Sequence, residues 1–154
     1  MRAKRKIRAA GIPFRVPPAH LLPDRLAAVL AVVYLIFNQG YSSARDADDL
    51  TGEALTLGRA LATLMPDEPE VHGLLAMMLL LDARSAARVR DGELVLLEDQ
   101  DPALWDAEEI ARGRAALDRA IALRGRGPYV LQAAISAQSR GSSACSAAIA
   151  ACTT

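Results

Sequence analysis

Aromatic side chains are scarce in this sequence: two phenylalanines, three tyrosines and one tryptophan make up 4% of its 154 positions. Alanine and leucine supply most of the apolar content instead. That mix suits close-packed helices better than a β-sandwich, which draws on valine and aromatics. Cysteine is nearly absent too. Cys145 and Cys152 stand in a Ser/Ala-rich tail and form neither a C-x-x-C pair nor a disulfide framework, which fits a reducing compartment. Net charge is zero, so bulk composition points to neither nucleic acid nor membrane. The longest apolar run, Leu26–Phe37, has twelve residues, too short for a membrane span and right for a buried core helix. Gly11, Pro13, Pro17, Pro18 and Pro23 separate this run from the basic start, a poor match to a secretory signal. A cytoplasmic protein is expected. P-loop, G-x-G-x-x-G and G-x-S-x-G patterns are missing, and the serines have no base at a recognisable spacing, so an enzyme is not expected.

The charge that is present is unevenly placed. Residues 1–16 hold six bases (Arg2, Lys4, Arg5, Lys6, Arg8 and Arg15) and no acid, leaving twelve bases against eighteen acids in the remainder. A basic arm thus precedes an acidic body. On a helix Arg2, Arg5 and Lys6 share one side, a stripe able to neutralise phosphates. A solvated basic terminus has the same composition, and both readings stand.

Periodicity predicts helices through most of the rest. Residues 2–10 favour a short basic helix stopped by Gly11, and a proline-rich connector follows. Asp24–Asn38 is apolar nearly all round and is predicted to be the central helix. Between Leu50 and Leu64, Ala54, Leu57, Leu61 and Leu64 fall on one stripe. Met65–Pro69 breaks the chain, with Asp67 or Glu68 placed to cap the next helix and Pro69 in its first turn. Val71, Leu74, Leu75, Met78 and Leu79 then recur at helical spacing. Near Arg88–Leu97 the period changes. Asp91-Gly92 is a hairpin-type turn and Glu93–Leu97 has strand character, giving a small β-hairpin or an extended loop. Asp106 and Glu109 have capping-box form and open a helix running to about Arg124. Gly125–Gly127 breaks it, and Pro128 starts a last helix.

Two helix–break–helix junctions, at 64–71 and 116–135, echo tetratricopeptide repeats, but they lie about 60 residues apart rather than the standard 34 or so. The expected fold is all-α: a short, irregular solenoid of antiparallel helix pairs with a hairpin or extended insertion near 86–98. A compact, non-repeating bundle is the alternative.

Two clusters invite a metal. Glu68 and His72 are four apart, but two ligands are not a site. Glu98, Asp99, Asp101 and Asp106 surround Trp105, yet position six counted from Asp99 is Leu104 where a calcium loop needs glycine. Neither cluster is read as a metal site. The acidic residues are expected to serve as turn and helix caps, with Arg84, Arg88 and Arg90 as partners, while Trp105 anchors the loop on the helices. His20 is assigned no role.

Five ordered segments carry a resemblance: RAKRKIRAAGIPFRVP (2–17), LPDRLAAVLAVVYLIFNQGYS (22–42), LMPDEPEVHGLLAMMLL (64–80), DARSAARVRDGELVLLEDQDPALWD (82–106) and GPYVLQAAI (127–135). From Met1 to about Ala137 the chain resembles the end of an extracytoplasmic-function sigma factor of the subgroup with a tetratricopeptide-like C-terminal extension. The resemblance implies four regions: a remnant of the helix-turn-helix recognition helix (1–11), a proline-rich connector (12–22), the helical C-terminal extension (23–137) and a low-complexity tail (138–154). It implies that Arg2, Lys4, Arg5, Lys6 and Arg8 contact DNA phosphates, which position a protein without specifying sequence. It implies RNA polymerase core and promoter DNA as partners of the intact family member, and a protein-contacting role for the extension, with Arg84, Arg88, Asp99, Asp101 and Trp105 as a docking loop. The upstream polymerase-gripping domain of that family has no counterpart here, so an internal start or a fragment unable to act alone is expected. A free-standing helical-repeat adaptor is the alternative. No cofactor is expected.

Overall fold

The structure, a computed structural model, describes residues 22–42 and 50–138. The expectations for the basic arm, most of the connector, His20, the cysteines and nearly all of the tail lie outside these residues.

The fold is all-α with a small β insertion. In chain order the elements are α1 (Leu22–Ser42), α2 (Leu50–Leu64), α3 (Pro69–Asp82), the single turn α4 (Ser85–Arg88), a two-stranded antiparallel hairpin β1 (Val89–Arg90) and β2 (Glu93–Leu94), α5 (Ala107–Ala122) and α6 (Pro128–Ala137). Two 3-10 turns, Leu97–Asp99 and Pro102–Leu104, link β2 to α5.

The centre is α3 rather than α1. Every residue from Val71 to Leu80 except His72 is buried, because α3 packs on α1, α2, α5 and α6. A helix enclosed on all sides must be apolar all round, and GLLAMMLLL meets that condition. The prediction that Leu26–Phe37 is the buried hub is corrected. Leu30, Val33 and Phe37 face the core, but Val29, Val32 and Leu35 on the opposite side are 45%, 55% and 62% exposed. Apolar content permits burial and does not compel it.

The helices form antiparallel pairs. In the first pair, Gly40 near the end of α1 abuts Thr51 at the start of α2. In the second, Gly113 early in α5 lies on Leu80 late in α3, and Gly125 just after α5 returns to Pro69. α6 opens against Gly73 and runs along α3, in the place of the first helix of a third pair. Of the stripe predicted for α2, Ala54 is buried and Leu61 packs on the core, but Leu57 and Leu64 do not. Ala54, Leu55 and Gly58 are buried, whereas Leu57 and Leu64 are 44% and 77% exposed. Gly58 decides this: its bare backbone admits Met78 of α3, and periodicity of large apolar residues does not register a glycine contact.

The caps are partly as predicted. Asp106 accepts from the Glu109 amide at 2.9 Å, the forward half of a capping box. The reverse half is replaced, since Glu109 turns towards Arg59 at 3.8 Å. Glu68 occupies the N-cap position of α3 but makes no side-chain cap bond, contrary to expectation. A different carboxylate caps at long range: Glu70 accepts from the Tyr129 and Val130 amides of α6 at 3.0 and 3.4 Å. The end of α5 is a Schellman motif, with Gly125 N–H donating to Ala120 and Arg124 N–H to Ile121, and it places Arg124 at φ +59°.

Candidate functional site

The departure from a simple helix stack is the excursion between α3 and α5, and it begins at a narrow neck. The Asp106 amide donates to the Ala83 carbonyl at 2.8 Å, so chain leaving α3 returns to the same point 23 residues later. Arg84 follows at once. It is 7% exposed and its Nε donates to the Leu80 carbonyl at 3.0 Å. Burial holds its guanidinium below the usual arginine value, with the nearby Tyr41 pulling in the opposite direction.

The hairpin turns at Asp91 and Gly92, both left-handed at φ +54° and +85°, as a tight two-residue loop requires. Val89 pairs with Leu94 and Arg90 with Glu93. The strand predicted over Glu93–Leu97 stops at Leu94. Beyond it the Val95 amide still donates to Arg88, and Gln100 donates from its side chain to the Val95 carbonyl, which bends the chain into the 3-10 turns.

Arg88 ties the excursion to α1. Its guanidinium lies 3.9 Å from the centroid of the Tyr41 ring and donates to the Tyr41 carbonyl. Tyr41 in turn stacks on the buried Phe37, with ring centroids 5.5 Å apart. Sequence reasoning placed Arg88 beside the acids and missed Tyr41, whose partner is 47 residues away. Beside this contact lies an open cleft of about 430 Å³ lined by Gly40, Tyr41, Ser42, Asp82, Arg88 and Leu94, among others.

Trp105, predicted to anchor the loop, stands at its base beside the helices. It is half-buried and walls a cavity of about 170 Å³ together with Leu80, Arg84, Ile110, Arg114 and Ala137. Its indole Nε1 and the Gln100 Oε1 are buried without a hydrogen-bond partner. Asp101 caps the second 3-10 turn through the Ala103 amide at 2.9 Å, whereas Asp99 is exposed. Of the five residues predicted for a docking loop, then, Arg84, Arg88 and Trp105 are built into the scaffold and the two aspartates face outward. Sequence reasoning missed four exposed leucines beside them: Leu94, Leu96, Leu97 and Leu104 are 69%, 66%, 45% and 52% accessible. Reading ELVLL as a strand was the misleading signal, since a strand of that composition normally turns one side inward.

Among the described residues no group of three or more His, Cys, Asp or Glu side chains could hold a metal ion. His72 Nε2 instead lies 3.0 Å from the Pro66 carbonyl. No helix among the described residues is long and apolar enough to cross a membrane. The arrangement offers surfaces for binding: an acidic, leucine-bearing excursion and the outer side of α1.

Comparison with known proteins gives two matches. The model of a family of unknown function (DUF6596) matches residues 25–121. An uncharacterized protein of Rhizobium meliloti (strain 1021) is 47% identical over 136 residues, which make up 85% of this chain and 32% of the relative. The chain therefore spans about a third of the length of that curated relative. No solved structure matches.

Proposed function

The chain belongs to the DUF6596 family, and on that premise we propose that it is the C-terminal regulatory region of an extracytoplasmic-function sigma factor. In this reading it is a non-enzymatic, cytoplasmic component of transcription initiation. Its partners are RNA polymerase core and promoter DNA, both engaged by the longer protein of which it forms the end. Arg2, Lys4, Arg5, Lys6 and Arg8 contribute phosphate contacts at the edge of the promoter-reading domain. The helical body works by packing on the remainder of the factor, and the outer side of α1 (Val29, Val32 and Leu35) is the apolar surface available for it.

The observation that carries this reading is the order and spacing of five sequence segments typical of that class, joined to a relative about three times as long. The helical pairs and the placement of the hairpin between them agree with it.

Testing it starts with the Rhizobium meliloti relative. Purified with RNA polymerase core, it is expected to bind the enzyme and to direct run-off transcription from a promoter subset. Deleting the segment that matches this chain is expected to alter that output. Failure of the relative to bind core polymerase would refute the reading. Capture of other proteins without polymerase would favour a free-standing helical adaptor.

A further inference from the structure

The hairpin and the turns after it expose apolar side chains that none of the described helices covers. Val89 and Leu94 face each other across the two strands, both exposed, and Leu96, Leu97 and Leu104 continue the surface. Uncovered apolar area at about 25 cal/mol per Å² favours an occupant. The chemistry of that occupant is set by the surrounding charge. From Arg84 to Asp106 the chain has six carboxylates and three bases: Arg84 and Arg88 donate to the Leu80 and Tyr41 carbonyls, Arg90 stands opposite Glu93 across the strands, and Asp91, Asp99 and Asp101 are exposed between the leucines. The surface fits a segment that is both cationic and apolar.

Residues 2–12 of the same chain have that composition: five bases and no acid, interleaved with Ile7 and Ile12. We propose that the hairpin insertion is an internal dock for the chain's own basic N-terminal segment, and that docking holds this segment away from polyanions such as DNA. Five positive charges then meet the excess of carboxylates, with leucines covered by Ile7 and Ile12.

The tether is long enough. α1 has 21 residues and is about 30 Å long at 1.5 Å per residue. Arg88 fixes the insertion near Tyr41, at the far end of α1. Lys4 and Lys6 precede Leu22 by 18 and 16 residues, and extended chain of that length covers about 50 Å or more. The arm can fold back along α1 with slack to spare. Tethering supplies an effective concentration on the order of millimolar, so a contact too weak to hold a free peptide suffices. Because the attraction is between solvent-facing charges, salt releases it.

The inference depends on the charge of the arm and goes beyond the sigma-factor reading, so the two fail separately. Lys4 and Lys6 are the only lysines in the chain. Zero-length carbodiimide coupling of the full chain, dilute and at low salt, is expected to join them within one molecule to carboxylates of residues 91–106, and high salt to suppress the product. Coupling spread evenly over Glu53, Glu108 and Asp118, or found only between molecules, would overturn the proposal.

A second measurement reads the consequence. The triple variant Asp91→Asn, Glu93→Gln, Asp99→Asn leaves the capping Asp101 and Asp106 intact. It is expected to bind nonspecific duplex DNA several-fold more tightly than a control neutralised at Glu53, Glu108 and Asp118. Equal gains in the two variants would overturn the dock as a competitor of DNA. Absence of duplex binding by every form would count against both the DNA-contacting arm and this competition, while the coupling pattern still decides whether the dock exists.

Discussion

A methyl group added at Gly73 and one added at Gly58 meet different obstacles in the same core. At Gly73 it would lie 2.6 Å from the Val130 amide nitrogen, a backbone atom that moves only if α3 and α6 separate. At Gly58 the nearest atom, at 2.7 Å, is the Met78 methyl, the free end of a flexible side chain. Gly73→Ala is therefore expected to lose about 1–3 kcal/mol in urea unfolding. Gly58→Ala is expected to change little, since its crowding is offset by up to about 1 kcal/mol of helix propensity. Arg124 gives the opposite case. An L side chain at a left-handed helix terminus is strained, so Arg124→Gly is expected to stabilise by about 1 kcal/mol in the same assay. The sequence pointed to this break through Gly125 but not to the residue that bears the strain, because the motif places glycine one position later than usual. Glu109 responds to pH. Burial chiefly, then Asp82 and Asp106, raise its carboxyl above the ordinary glutamate value, against Arg112 and Arg59. The folded state then holds the proton more tightly than the unfolded chain. The resulting stabilisation is complete below the ordinary carboxylate range and is lost as pH rises through the raised value. Glu109→Gln is expected to be the more stable form at neutral pH, and the difference to disappear on acidification, as thermal unfolding across that range would record.

At the scale of elements, most helices were legible because they are bounded by local chemistry. Pro69, the Asp91-Gly92 turn, the Asp106 cap and Pro128 each act on their own neighbourhood, and each marks an element where the sequence predicted one. Relations between elements were legible only where large apolar side chains carry them. The buried side of α2 was read only in part, through Ala54 and Leu61, because its closest approach is made by a glycine. The long apolar run of α1 overstated its burial because it closes one end of the stack. The cap on α6 was invisible because its carboxylate, Glu70, belongs to a helix about 60 residues earlier. That cap couples α3 to α6 through two amides and a charge, a class of hydrogen bond worth about 1.5–3 kcal/mol. Glu70→Ala is expected to lower stability by about that amount and to increase hydrogen exchange at the Tyr129 and Val130 amides ahead of the rest of the core. Equal exchange at both amides in parent and variant would show that the cap does not hold α6. At the candidate site, the turn was readable from composition. The Arg88–Tyr41 contact and the outward leucines were not, because both depend on how the excursion lies across α1.

For the whole molecule, the proposed phosphate contacts predict a salt law. With Arg2, Lys4, Arg5, Lys6 and Arg8 each neutralising one phosphate, the affinity of the Asp91→Asn, Glu93→Gln, Asp99→Asn variant for nonspecific duplex is expected to fall with a log–log slope of about −4.5, and that of the parent chain less steeply because salt also releases the dock. Deleting residues 1–10 is expected to abolish binding in a gel shift while leaving the helical circular dichroism intact. A slope near zero would remove the arm from the DNA contacts. The neck at Ala83 and Asp106 has a different bearing. Since departure and return share one hydrogen bond, the paired helices on either side experience the intervening residues almost as a single insertion point. With Arg84, Arg88 and Trp105 kept as its moorings, length and content between Val89 and Leu104 are free to drift, or to be exchanged by an engineer, without shifting the register of the scaffold: the fold separates the part that must stay constant from the part that can acquire a new message.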